Sequence, residues 1–308
     1  MKNYGTYWHY YVFDENPEKI ENIITESDLL LNNQSIHVNI FENAFPQDQK
    51  NILFIHGTAV YSRFYAEFLY RLCKKGYRII APDMPGHGLS EGERGHFTMS
   101  SYLSVISGLI DHIQETYGNQ IAIMGSSLGG ITALYAITNE DNRLNGAICH
   151  NAAIFNEDAH KKIVNVKGIL KIFKPIVPFL AKIAPKLKVS VWTYLDPYKL
   201  GNSKKFHQTI DKFLEDSLLA DKYTLTALKT QMKAPLPKPI EEVKSPIMVI
   251  NGENDALFSE NYMREIYNRI TCSQKRLEII PHASHLIFQE HIDESIKRIT
   301  SFLEDIFS

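Results

Sequence analysis

The sequence feature that most constrains the fold is a serine between two glycines at the end of an apolar run. Residues 121–124 are apolar and partly β-branched, which predicts a buried strand, and the residues after the turn can continue as a helix. The turn itself reads Gly125-x-Ser127-x-Gly129. A strand–turn–helix elbow forces its serine into a strained backbone conformation, so neighbouring side chains must be nearly absent. Because Ser127 rather than Ser126 is centred between the glycines, Ser127 is the candidate reactive serine.

Strand and helix patterns alternate on both sides of this elbow. That order is typical of an α/β fold, a mostly parallel sheet with helices on both faces. Residues 1 to about 45 are expected to form antiparallel edge strands. The further expected strands are 51–55, 78–81, 121–124, 146–149, 246–250 and 277–280, and the clearest edge strand is 35–41. The expected helices lie at about 64–72, 103–113, 131–137, 260–270 and 292–306.

The alternation breaks between residues 155 and 240, which predicts an inserted helical cap. The core would then comprise residues 1–154 and 241–308. No clean strand is expected in the insertion. From residue 160 to 195 there is no Asp or Glu, but there are eight lysines. These are Lys161, Lys162, Lys167, Lys171, Lys174, Lys182, Lys186 and Lys188. An apolar helical stripe, bent or broken near Pro175 and Pro178, is formed by Val166, Ile169, Leu170, Phe173, Val177, Leu180 and Ile183.

Two interpretations of this lysine-rich cap are open. It is either the solvated polar face of an amphipathic helix or a surface that makes weak contact with anionic lipid.

Composition limits the remaining possibilities. A chain of 308 residues with 44% hydrophobic and 22% charged residues is ordinary for a globular protein. A net charge of −2 gives no support for nucleic-acid binding. Cys73, Cys149 and Cys272 form neither a disulfide framework nor a zinc pattern, which fits a reducing compartment. With no recognisable signal peptide or long apolar span, a cytoplasmic location is expected.

Three polar residues that can cooperate each follow a predicted strand: Ser127, Asp255 and His285. Because the carboxyl ends of parallel strands lie on one edge of a sheet, they can meet there. A serine hydroxyl needs a base, and the base needs a group that fixes its tautomer. The expected roles are nucleophile for Ser127, general base and acid for His285, and orienting carboxylate for Asp255. The backbone N–H groups of Thr58 and Leu128 would form the oxyanion hole.

Alternatives to two members of this set are open. Glu253 and Asp216 are other carboxylates that could replace Asp255, and His282 lies close to His285 in the sequence. His285 is preferred because it lies further from the strand end, directly before an apolar segment.

Four other polar residues at strand ends are expected to be structural. His56 would anchor the oxyanion loop, and Asp83 and His87 would hold their glycine-rich turn together. His150, just past a strand end, either lines the pocket or is a satisfied core histidine.

The chain resembles the α/β-hydrolases of the monoacylglycerol lipase and lysophospholipase group. The matching motifs are His56-Gly57-Thr58, the segment 83–95 (DMPGHGLSEGERG), the segment 125–130 (GSSLGG), Gly252-x-x-Asp255, and His285. The resemblance covers roughly residues 25–155 and 245–305. Ser126 and Leu128 stand where this group commonly has histidine and methionine, and the cap has no visible match.

The resemblance implies a serine hydrolase that cleaves a carboxylic ester through an acyl-enzyme. Its partner would be a small-molecule ester with an acyl chain, similar to a monoacylglycerol or a lysophospholipid. A carboxylesterase of small esters, a lactonase and a carbon–carbon bond hydrolase could use the same residues. A non-catalytic ligand-binding member of the fold is a further alternative. Neither a metal nor an organic cofactor is expected.

Overall fold

A computed structural model describes residues 3–42, 50–157, 159–162 and 176–308, with the backbone alone for 160 and 161. The strands in this part of the chain are β1 (Ile24–Leu31), β2 (Gln34–Phe41), β3 (Asn51–Ile55), β4 (Arg78–Pro82), β5 (Ile121–Ser126), β6 (Gly146–His150), β7 (Lys188–Ser190), β8 (Lys222–Thr224), β9 (Ile247–Gly252) and β10 (Lys275–Ile280). All predicted core strands therefore form, within a few residues of their expected ends.

Eight of these strands form one sheet, in the order β1-β2-β4-β3-β5-β6-β9-β10. The six strands from β4 to β10 in this order run parallel to one another. Only β1 and β2 are antiparallel to their neighbours, and they lie at one edge. The predicted α/β fold, an α/β-hydrolase-like and mostly parallel sheet, is confirmed. The carboxyl ends of β3, β5, β6, β9 and β10 consequently share one edge.

Helices cover both faces of this sheet. The helices of the described residues are α1 (Pro17–Glu21), α2 (Ala66–Cys73), α3 (Met99–Tyr117), α4 (Leu128–Asn139), α5 (Ala159–Lys162), α6 (Val177–Ile183), α7 (Lys204–Glu215), α8 (Leu225–Lys233), α9 (Glu260–Arg269), α10 (Ile287–Glu290) and α11 (Ile292–Phe307). None of the helices in the described ranges combines the length and the apolar character needed to cross a membrane.

Strand β3 shows how the sheet separates two apolar cores. Its successive side chains point to opposite faces, as the period of a strand requires. Leu53 and Ile55 are buried in one core together with residues of α3, α4 and α9. Ile52 and Phe54 are buried in the other core with residues of α2 and α11. The helices are therefore held mainly by burial of apolar surface, which is why a continuous apolar run was a reliable sign of a central strand.

The N-terminal prediction is only partly correct. β1 and β2 are the expected edge strands, but residues Tyr7–Tyr11 form a 3-10 helix and Pro17–Glu21 form α1 instead of strands. Asn16 caps α1, because its side chain accepts a hydrogen bond from the Glu18 N–H at 2.8 Å. Proline at the first helical position also favours this start.

The expectation of no strand between 155 and 240 is wrong. Strands β7 and β8 pair there as a two-stranded antiparallel sheet. Each has only three residues, which is too short for an alternating pattern to appear in the sequence.

The predicted apolar stripe of this segment lies partly outside the described residues. That holds for Val166, Ile169, Leu170, Phe173 and Pro175, and for Lys167, Lys171 and Lys174, while of Lys161 only the backbone is described. Helix α6 begins at Val177, and Pro178 lies in its first turn, where a missing N–H leaves no hydrogen bond unmade. Val177 is buried and Leu180 half-buried, but Ile183 is exposed, so these three side chains do not share one buried face.

No disulfide joins the three cysteines, Cys73, Cys149 and Cys272, and all three are buried.

Candidate active site

The elbow around Ser127 has the geometry that its sequence predicts. Ser127 lies between β5 and α4 with φ 56° and ψ −118°, a backbone conformation that residues other than glycine rarely adopt. A Cβ atom on Gly125 would lie 2.1 Å from the carbonyl oxygen of Gly129. One on Gly129 would lie 2.0 Å from the carbonyl oxygen of Ile55. Both flanking glycines are therefore needed for the close packing that supports the strained serine.

Asp255 and His285 lie side by side because their strands are neighbours. β9 and β10 are parallel, with Gly252 opposite Ile280, so the loops that follow them start at the same level. His285 Nδ1 and Asp255 Oδ2 are 2.8 Å apart, and both residues are buried. An Nδ1–H that donates to this carboxylate leaves Nε2 free to accept a proton.

The Asp255 carboxylate is held by more than the histidine. Its Oδ1 accepts hydrogen bonds from the N–H groups of Leu257, at 2.7 Å, and Phe258, at 3.0 Å. Its Oδ2 also accepts one from Asn151 Nδ2 at 2.9 Å. Burial by itself raises the pKa of Asp255, but the charge and hydrogen bond of His285, the nearby His150 and the Phe258 N–H together lower it to about 2. Asp255 is therefore an anion at neutral pH.

The alternative residues are placed elsewhere. Glu253 contacts the exposed His282 side chain at 3.3 Å rather than His285. Asp216 is buried and accepts hydrogen bonds from Tyr11, at 2.8 Å, and Tyr61, at 2.7 Å. Among the described residues, Asp255 is the one of these three candidate carboxylates that is hydrogen-bonded to His285.

Ser127 and His285 line one narrow cavity of about 40 Å³, together with Gly57 and Thr58. The sheet edge thus brings the ends of β3, β5 and β10 to the same space. Leu128 is the first residue of α4, where an N–H has no partner within the helix. The rest of the cavity wall is mostly apolar and includes Val60, Phe64, Trp192, Leu195, Leu200, Phe206, Phe213, Leu257 and Leu286.

His56 fixes the turn that carries Thr58. Its Nδ1 lies 2.9 Å from the Gly57 carbonyl oxygen, and its Nε2 accepts a hydrogen bond from the Met84 N–H at 2.9 Å. This pattern requires a neutral imidazole with the proton on Nδ1. Burial lowers the pKa of His56, which agrees with a neutral ring. His56 is therefore placed to anchor the turn and not to contact a substrate.

Asp83 organises the glycine-rich loop. Its carboxylate accepts hydrogen bonds from the Ser62 N–H at 2.9 Å, the Leu89 N–H at 2.8 Å and the Tyr4 hydroxyl at 2.9 Å. A Cβ on Gly88 would lie 2.0 Å from Asp83 Oδ2, so this loop requires glycine there. The carboxylate has a structural role, as expected.

His150 is a buried neighbour of the Asp255–His285 pair. Its Nδ1 is 2.9 Å from Ser126 Oγ, and its ring centroid is 5.3 Å from that of His285. Burial, followed by the charge of His285, lowers the pKa of His150 to about 3, so this imidazole stays neutral. His150 does not line the cavity described above.

One group of potential metal ligands occurs among the described residues. Ligand atoms of His150, Asp255 and His285 lie within 4.8 Å of one another. Asp255 and His285 are hydrogen-bonded to each other, and His150 lies beside them. A histidine–carboxylate pair next to a second histidine brings these atoms equally close without a metal. The expectation that no metal is used stays a prediction.

Asn151 is the site residue that the sequence analysis missed. It has φ 65° and bonds to both Asp255 and the Asn251 side chain. Its position directly after β6 places it at the same sheet edge as the other site residues, and this position was the signal available in the sequence.

A family model and a curated protein each match most of this chain. A family model described as serine aminopeptidase, S33 (Hydrolase_4) matches residues 46–292. Phospholipase YtpA of Bacillus subtilis is 24% identical over 253 residues, which cover 80% of this chain and 91% of that protein.

Two solved structures illustrate the fold. The monoacylglycerol lipase of Paleococcus ferrophilus has a TM-score of 0.73 at 22% identity, covering 88% of this chain and 99% of its own. A soluble variant of the monoglyceride lipase of Saccharomyces cerevisiae has a TM-score of 0.74 at 16% identity, covering 92% and 94% respectively. At these identities the likeness is one of fold.

Proposed function

Because the chain belongs to the serine aminopeptidase S33 (Hydrolase_4) family of α/β-hydrolases and is a serine hydrolase acting on esters, we propose that Ser127, His285 and Asp255 are its catalytic triad. The observation that carries this proposal is the shared cavity of Ser127 and His285, combined with the buried His285–Asp255 hydrogen bond.

The reaction then follows from the roles of these groups. Ser127 Oγ attacks the ester carbonyl carbon while His285 Nε2 takes the hydroxyl proton, and Asp255 keeps the imidazole oriented. The alcohol leaves with the proton from His285, and an acyl-enzyme remains. Water adds to this ester with His285 as the base, which releases the acid and restores Ser127.

The N–H groups of Thr58 and Leu128 are the proposed donors to the oxyanion. Both follow strand ends beside Ser127, and Leu128 lies at the start of a helix, where the dipole favours negative charge.

For the substrate, we propose an ester with an acyl chain, similar to a monoacylglycerol or a lysophospholipid. The apolar wall beside Ser127 supports this class, because apolar side chains favour a hydrocarbon chain. The names of the similar proteins, phospholipase and monoacylglycerol lipase, point in the same direction.

A second candidate is a small-ester carboxylesterase, and the size of the cavity favours it. At about 40 Å³, the space beside Ser127 holds a long acyl chain only if the residues around it move. Five lining residues, Trp192, Leu195, Leu200, Phe206 and Phe213, belong to the 155–240 segment. We therefore propose that 155–240 is a cap on a core of residues 1–154 and 241–308, and that cap movement admits the longer substrates.

Fatty-acid release from a panel of esters separates the two candidates. The panel contains a monoacylglycerol, a lysophospholipid, and a short and a long p-nitrophenyl ester, with Ser127→Ala as the blank. Turnover of the glycerolipids that the substitution abolishes supports the proposed substrate. Turnover of the short ester alone retains the triad and favours the carboxylesterase.

We further propose that the cap makes weak contact with anionic lipid. The side chains of Phe179, Ile183 and Leu187 are 61%, 67% and 56% exposed, beside the exposed Lys182 and Lys186. Apolar residues next to lysines suit a membrane interface.

Vesicle flotation tests this contact with a matched control. The double variant Phe179→Ser/Ile183→Ser should lose binding to anionic vesicles at low salt. Leu30→Ser, at a 76% exposed position on the distant edge strand β1, should retain it. Absence of binding by the unaltered protein would reject the proposal.

The cytoplasmic location is also a proposal. It is supported by the three buried cysteines, which form no disulfide with one another and so suit a reducing compartment.

A further inference from the structure

The residue after Thr58 is held in an unusual backbone conformation. Ala59 is fully buried and has φ 66°, in the left-handed region that glycine adopts at no steric cost. A non-glycine residue persists there only where its surroundings determine the conformation. What surrounds Ala59 therefore also sets the position of the adjoining Thr58 N–H.

Both backbone polar groups of Ala59 are bonded to the 155–240 segment. The Ala59 N–H donates to the Tyr223 hydroxyl at 2.8 Å, and the Ala59 carbonyl oxygen accepts from the Ala220 N–H at 2.8 Å. Each bond orients one of the two peptide planes that meet at Ala59. The proposed cap thus holds this turn at Ala59, while His56 of the core holds it at Gly57.

The Tyr223 hydroxyl has a second partner that orients it. His87 Nε2 lies 3.0 Å from this oxygen, and His87 Nδ1 lies 3.2 Å from both the Pro85 carbonyl oxygen and the Tyr102 hydroxyl. If Nδ1–H donates to Pro85, the hydroxyl donates to Nε2 and keeps a lone pair for the Ala59 N–H. Burial lowers the pKa of His87 well below its usual value, which agrees with this neutral form.

Strand β8, which carries Tyr223, is seated closely on the glycine-rich loop. The Thr224 N–H donates to the Gly95 carbonyl oxygen at 3.0 Å, and His96 Nδ1 lies 3.0 Å from Thr224 Oγ1. A Cβ on Gly95 would lie 1.9 Å from the Lys222 carbonyl oxygen. A displacement of β8 from this seat would therefore break the contacts with Ala59.

We infer that Tyr223 is a positioning residue for the oxyanion hole: its hydroxyl holds the Ala59 turn so that the Thr58 N–H faces the reacting carbonyl oxygen. This inference rests on the proposed role of Thr58. It also means that catalytic competence depends on how the 155–240 segment is seated.

Tyr223→Phe tests the inference, because it removes the hydroxyl and keeps the ring. Loss of a whole oxyanion donor lowers kcat by about 100-fold to 1,000-fold, so a displaced donor should lower kcat by about tenfold. KM should change by less than about twofold, because the ground-state ester does not depend on this bond. Binding of a trifluoromethyl ketone, whose adduct carries an oxyanion, should weaken by about tenfold.

Tyr194→Phe is the matched control. Tyr194 lies in the same segment, and its buried hydroxyl has no hydrogen-bond partner among the described residues. This variant should have the same kcat and the same inhibitor affinity as the unaltered protein. All rates are taken per active site titrated, so that a partly unfolded preparation does not imitate a catalytic defect. Unaltered kcat per site and unaltered inhibitor affinity in Tyr223→Phe would overturn the inference.

A double-mutant cycle with Ala59→Gly separates positioning from a merely structural role. Glycine adopts the positive φ without help, so Tyr223→Phe should reduce kcat less in the Ala59→Gly background. Equal losses in both backgrounds would overturn the inference. If Ser127→Ala still hydrolyses the ester, the proposed function itself is wrong. If Ser127→Ala is inactive while Tyr223→Phe is fully active, only the inference is wrong.

Discussion

Two histidine–carboxylate pairs follow β9 and β10, and their burial distinguishes their roles. His285 and Asp255 are buried and 2.8 Å apart, whereas the His282 side chain is exposed and 3.3 Å from Glu253. Of these four residues, His285 alone lines the cavity, which it shares with Ser127.

Replacing the buried carboxylate should therefore be far more damaging than replacing the exposed one. Asp255→Asn keeps the shape but loses the charge and the tautomer control, and kcat should fall by about 1,000-fold to 10,000-fold. Glu253→Gln should leave kcat within about twofold, since an exposed ion pair contributes little. Steady-state hydrolysis of a p-nitrophenyl ester measures both. Equal losses in the two variants would contradict the assignment.

At the residue scale, the sequence predicted those site residues whose positions are set by the end of a strand. Ser127, Asp255 and Thr58 follow buried strands, and His285 follows the half-buried edge strand β10. Parallel pairing brings these four residues to one edge of the sheet. Tyr223 could not be predicted in this way, because its contact with Ala59 joins positions 164 residues apart across an inserted segment. Such a contact depends on how the segment packs and leaves no local pattern.

The join between β5 and α4 leaves almost no room for a side chain at Gly125. A Cβ on Gly125 would lie 2.1 Å from a backbone oxygen, that of Gly129. Gly108, within α3, offers a contrast, because its nearest neighbour would be the flexible Leu31 side chain at 3.2 Å.

Alanine at these two glycines should therefore affect stability to very different extents. Gly125→Ala should lower the free energy of unfolding by about 1–3 kcal/mol or more, because backbone must shift. Gly108→Ala should be near neutral, since the gain in helix propensity of about 1 kcal/mol offsets the movement of Leu31. Urea unfolding followed by circular dichroism measures both. A Gly125→Ala protein as stable as the unaltered one would argue against the close elbow packing.

At the element scale, the core strands were predictable because they are buried apolar runs that end at glycine, proline or polar residues. β7 and β8 were not, since three residues cannot show a period. The N-terminal helix α1 was missed although Asn16 and Pro17 form a helix-start signal.

Buried neutral histidines couple the stability of the whole molecule to pH. Burial lowers the pKa of His56, His87 and His150, the last to about 3. In the unfolded chain these rings protonate below about pH 6.5, while in the folded chain they stay neutral. The unfolded state then binds more protons, so stability is complete above about pH 6.5 and is lost as the pH falls.

The expected size of this effect follows from the number of protons. As the pH falls, each histidine lowers the free energy of unfolding by up to about 1.4 kcal/mol per pH unit. The three together lower it by up to about 4 kcal/mol per pH unit. Urea unfolding at several pH values between 8 and 4.5 measures the slope. His150→Gln should reduce the slope by about 1 kcal/mol per pH unit. An unchanged slope in His150→Gln would contradict the neutral, buried state of that ring.

The central claim, that Ser127 is the nucleophile of a serine hydrolase, is tested most directly by labelling with a fluorophosphonate and locating the adduct by peptide mass spectrometry. We expect one adduct, on Ser127, that is lost in Ser127→Ala and retained in Ser126→Ala, whose hydroxyl contacts His150 instead. An adduct on Ser126, or ester hydrolysis that persists in Ser127→Ala without any adduct, would contradict the claim.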